Sequence, residues 1–78
     1  MASTYRMVQT EPNKVVIEMS TVSGWIAVGV APSVFAGRDM IQAMKEKEDW
    51  VCKIYDEVGN LVGSASASHQ PSGDATTV

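Results

Sequence analysis

The sequence predicts a mainly β domain: an antiparallel β-sandwich-like sheet left incomplete, with a short helix near residues 39–48. Three observations carry that expectation. Short runs rich in β-branched and aromatic residues recur between breaks of Gly, Pro, Asn, Ser and Thr. One segment, WVCKIY followed by DEVGN and LVG, has the form of a hairpin. The chain has 78 residues, fewer than the roughly 100 that a complete two-sheet sandwich uses.

The first strand is TYRMVQ, Thr4 to Gln9, with Tyr5 and Met7 on one face and Arg6 and Val8 on the other. Thr10, Glu11, Pro12 and Asn13 form a hairpin turn, because Pro12 pre-sets φ and Asn13 tolerates left-handed geometry. KVVIEM, Lys14 to Met19, is the second strand, its β-branched side chains being stiff in a helix and well packed on a pleated surface. After the Thr21, Ser23, Gly24 break, WIAVGVA (Trp25 to Ala31) is apolar on both faces and reads as a strand buried on both sides. Gly29 inside it marks a bulge or a close approach.

The middle admits two readings. Asp39 to Glu48 consists of strong helix formers, with Met40, Ile41 and Met44 on one stripe and Gly37 or Asp39 as candidate caps. A strand from Met40 to Met44 followed by a charged turn is the competitor. Trp50 to Tyr55 then alternates, and it pairs with Leu61 to Gly63 or slightly beyond across Asp56–Asn60, where Gly59-Asn60 suits positive φ. The domain therefore spans residues 1–63. Residues 64–78 (SASASHQPSGDATTV) offer almost no large apolar side chain and read as a disordered tail.

Charge and chemistry exclude more than they assign. Six Lys and Arg against nine Asp and Glu give a net charge of −3, with the cations scattered, so nucleic acid is not an expected partner. No stretch reads as a membrane span, and the first residues lack the basic-then-apolar pattern of a secretory signal. There is no phosphate-cradling Gly loop, no nucleophile elbow and no second His, so no enzyme class is indicated. Cys52, on the face shared by Trp50 and Ile54, reads as a buried, inert thiol. The interleaved Lys45, Glu46, Lys47, Glu48 and Asp49 read as a solvated face. Thr76-Thr77-Val78 matches the Ser/Thr-x-hydrophobic ending that some peptide-binding modules capture.

The succession KVVIEM, a Thr/Ser-Gly break, Gly24-Trp25-Ile26-Ala27-Val28-Gly29-Val30-Ala31-Pro32 and Ala36-Gly37-Arg38-Asp39-Met40 resembles the DOMON domain family. The specific part of the resemblance is GWIAVG…AGRDM. It implies an antiparallel β-sandwich that binds a small ligand, sugar or haem, usually in an extracellular or lumenal setting and beside redox modules of a parent chain. Haem-binding members ligate iron through a Met after the Gly-Trp strand and a later His. Here Phe35 stands where that Met is expected, which leaves His69 with Met40 or Met44 as the candidate haem b ligands. For a sugar, the candidates are Trp25 and Trp50, whose ring faces can stack C–H groups. A third reading is a protein-interaction module that uses an open sheet edge, as a homodimer or against neighbouring domains.

Overall fold

The computed structural model describes residues 3–46 and 48–67. Five strands and one helix follow in the order β1 (Ser3–Glu11), β2 (Lys14–Thr21), β3 (Gly24–Ala31), α1 (Val34–Met44), β4 (Trp50–Tyr55) and β5 (Leu61–Ala67). The strands form one sheet in the order β3-β2-β1-β4-β5. The domain is mainly β with one short helix, and the sheet does not close into a barrel.

The three predicted turns form, although neither Asn13 nor Asn60 takes the positive φ that their sequence suggested, and only Gly24 and Gly59 do. Beyond β2, the Thr21 hydroxyl donates to the Gly24 carbonyl at 2.7 Å and accepts from the Ser23 amide at 3.1 Å. Gly24 has φ +116° there, a conformation that a Cβ would strain. Between β4 and β5, one oxygen of Asp56 accepts from the amides of Val58 (3.0 Å) and Asn60 (2.8 Å), and Gly59 takes φ +92°.

Antiparallel pairing holds for β1/β2, β2/β3 and β4/β5, but β1 and β4 pair in parallel. The sheet is therefore mixed where the sequence suggested antiparallel pairing throughout. Connectivity explains the difference. From β3 the chain must return across the sheet to start β4 in the same direction, and such a crossover needs about a dozen residues, most often as a helix. Residues 32–49 supply them, and the extended alternative for Met40 to Met44 has no place in that path.

The helix starts five residues earlier and ends four residues earlier than residues 39–48. Ser33 is its N-cap, with its hydroxyl accepting from the Ala36 amide at 3.1 Å, and neither Gly37 nor Asp39 caps it. It ends at Met44, where the Lys45 amide still reaches the Ile41 carbonyl at 2.9 Å.

One face of the sheet packs under α1. Tyr5, Met7, Val15, Ile17, Ala31, Trp50, Cys52 and Ile54 line it, and Ile41 descends from the helix into the same core. Gly37 allows the close approach: a Cβ there would stand 2.6 Å from the Met7 sulfur. Gly29 answers both halves of its expectation. The register of β2 against β3 slips beside it, skipping Val28, and the Met40 methyl sits where its Cβ would be, at 2.8 Å.

Two expectations about the edges change. The strand from Trp25 to Ala31 is not buried on both sides; it is an edge strand in which Trp25, Ile26 and Val30 are 40%, 46% and 55% exposed. Nor does the domain stop at residue 63. Ser64, Ala65, Ser66 and Ala67 belong to β5, in register with Lys53, Cys52, Val51 and Trp50. Small side chains suffice there, because an edge strand gains its place from backbone pairing with β4. The rest of the expected tail, with Thr76-Thr77-Val78, lies outside the described residues.

Candidate functional site on the open sheet face

The period-two alternation that buries Tyr5 and Met7 sends Thr4, Arg6 and Val8 to the opposite face, and no element covers that face among the described residues. Strand register arranges it in rows. Val30, Val16, Val8, Tyr55 and Leu61 lie abreast across all five strands, an apolar band. The next row is Ala27, Glu18, Arg6, Lys53 and Ser64; beyond it Thr4, Val51 and Ser66 stand abreast.

A groove of about 380 Å³ lies over β1, β4 and β5, with Arg6, Trp25, Val51, Lys53, Ser64 and Ser66 among its walls. Trp25 reaches it from the far edge. Its register partner on β2 is Ser20, small enough for the indole to lean across toward β1. Arg6 holds it there, with its guanidinium carbon 4.3 Å from the ring centroid. The same guanidinium is also fixed by β2, since Arg6 Nε donates to Glu18 Oε1 at 2.5 Å. The result is an aromatic wall braced by an ion pair, beside the hydroxyls of Thr4, Ser64 and Ser66.

Of the five residues singled out in the sequence, the four that are described do not gather at one site. Trp25 is on the groove and 40% exposed, so its truncation removes little core. Trp50 is fully buried under the helix, with its indole N–H donating to Gln42 Oε1 at 3.2 Å. The two tryptophans thus occupy opposite faces of one sheet, and Trp50 offers no ring face to a ligand. Met40 and Met44 are both on α1, on the helix side: Met40 is packed over Gly29, and Met44 is 47% exposed. His69 lies outside the described residues. Among the described residues, no group of three or more His, Cys, Asp and Glu side chains is placed to hold a metal ion, and no helix is long and apolar enough to cross a membrane.

Cys52 matches its expectation. It is 2% exposed, and burial pushes its thiol up to about 11. A thiol held neutral in this way is a poor nucleophile.

Reasoning from the sequence missed Arg6, Lys53, Ser64 and Ser66. Alternation within β1 and β4 puts Arg6 and Lys53 opposite the core residues, and that signal was readable. Their proximity was not, because it depends on the parallel pairing of β1 with β4. Comparison with known proteins adds no relative: no family model, curated protein or solved structure matches the chain.

Proposed function

We propose that the domain is a non-catalytic binding module whose open sheet face receives a small, sugar-like ligand in the groove beside Trp25. The observation that supports it is the braced indole. A half-exposed tryptophan held by Arg6, next to the hydroxyl-bearing side chains of Thr4, Ser64 and Ser66, offers a stacking surface and hydrogen-bonding groups in one depression. Sugars need that combination, since their C–H faces stack on aromatic rings and their hydroxyls need polar partners. At about 380 Å³ the groove falls within the usual range for small-molecule sites. The GWIAVG…AGRDM stretch, with its DOMON resemblance, supports the same class of ligand.

The test is tryptophan fluorescence during titration with a panel of monosaccharides. Trp50 is sealed in the core and serves as an internal constant, so any response comes from Trp25. A saturable change that disappears in Trp25→Ala is the expected result. No change with any member of the panel contradicts the proposal.

A second reading has its own support. The apolar band from Val30 to Leu61 and the outward edges of β3 and β5 suit a protein partner, because an uncovered sheet face and unpaired edges are both places where another chain adds on. Concentration-dependent association in sedimentation experiments supports this reading, and a strictly monomeric chain at high concentration opposes it. The haem b reading, through His69 with Met40 or Met44, would place the iron on the helix side rather than in the groove. Reconstitution with haemin tests it directly. A sharp low-spin Soret band lost in His69→Ala supports it, and absence of the band removes it.

A further inference from the structure

We infer that the ligand of this groove is anionic, a sugar acid rather than a neutral sugar, and that Lys53 receives its carboxylate; the inference rests on the groove reading above. Arg6 and Lys53 are register partners on adjacent parallel strands, and both project from the open face. Two like charges side by side on a sheet oppose folding unless something neutralises them. Glu18 neutralises one. It is bound by Arg6 and stands on β2, on the side of Arg6 away from Lys53. Lys53 has no ion pair or side-chain hydrogen bond among the described residues.

An exposed positive charge with no protein counter-ion among the described residues therefore stands in the groove of a chain whose net charge is −3. Its neighbours complete an anion's requirements. Ser64 is its register partner on β5, and Thr4 and Ser66 lie in the next row, so an ammonium and hydroxyl donors border one space. A carboxylate there accepts from both kinds of donor, and the rest of the ring extends toward Trp25. A neutral sugar would leave Lys53 beside Arg6 without a counter-charge.

The experiment titrates the 78-residue chain with galactose, galacturonate and inorganic phosphate at low salt, following amide and indole NMR shifts. Galacturonate should bind about threefold to tenfold more tightly than galactose, the increment expected of one partly exposed charge-assisted contact. That preference should shrink in raised salt, vanish in Lys53→Gln and survive in Lys53→Arg. Equal binding of the two sugars, or a preference that persists in Lys53→Gln, overturns the anionic inference and leaves the groove reading in place. Phosphate binding as tightly as galacturonate overturns the sugar-acid assignment, because the site then reads charge alone. Failure of both sugars to shift any open-face resonance overturns the groove reading, and the inference falls with it.

Discussion

Two glycines separate what a single methyl group does in this core. At Gly37 an added Cβ meets the sulfur of Met7, a fully buried side chain that would have to shift within the packed core. Gly37→Ala should therefore destabilise the domain by about 1–3 kcal/mol, outweighing the roughly 1 kcal/mol that alanine gains over glycine within a helix. At Gly29 the obstacle is the terminal methyl of Met40, which can rotate away. Gly29→Ala should cost less than Gly37→Ala, and Gly29→Val more than Gly29→Ala, in chemical denaturation of the three variants. Trp50→Ala removes a fully buried indole and its bond to Gln42, a loss of about 3–5 kcal/mol that a domain of this size is not expected to survive. Trp25→Ala should remain folded, which makes it usable in binding experiments. Cys52 contributes a pH dependence. Its folded pKa of about 11 lies above the ordinary thiol value of 9.0, so its contribution to stability is complete below the lower value and is lost as pH rises through the higher. Denaturation between those limits should show a decline in stability that is smaller in Cys52→Ala.

At the scale of elements, α1 depends on its first turn. Removing the Ser33 hydroxyl leaves the Ala36 amide without its acceptor, and Ser33→Ala should cost about 1 kcal/mol, read as a lowered midpoint in thermal or urea unfolding. Ser33 also marks a boundary that is only partly legible in the sequence. A serine directly after Pro32 is a readable start signal, yet Val34, Phe35 and Gly37 look unlike a helix, and the strong formers after Asp39 drew the boundary downstream. Strands β1, β2 and β4 were legible because each alternates or is rich in β-branched residues, and their turns carry Pro, Gly or Asx at the necessary positions. The last residues of β5 were not, since Ser-Ala-Ser-Ala carries no pattern and is ordered by its partner. For β3, its sequence shows apolar residues on both faces but not that, among the described residues, one of those faces would be left uncovered.

For the whole molecule, the decisive feature is asymmetry: one side of a five-stranded sheet is closed by α1 and the other is open among the described residues. Composition held no trace of the groove, because it arises where β1 and β4 are brought together by a crossover that local pattern does not specify. The sequence did point to Trp25 as half of the candidate site, and Trp50, judged by the same chemistry, proved to be core. The central claim is that a sugar-like ligand binds on the open face, and its most direct test is amide and indole chemical-shift mapping during a monosaccharide titration of the uniformly labelled chain. Binding on the open face requires saturable shifts at the Trp25 indole and at Thr4, Arg6, Lys53, Ser64 and Ser66, with the Trp50 indole and the amides of α1 unmoved. Shifts centred on Trp50, Met40 or Met44, or none at all on the open face at saturating sugar, would contradict it.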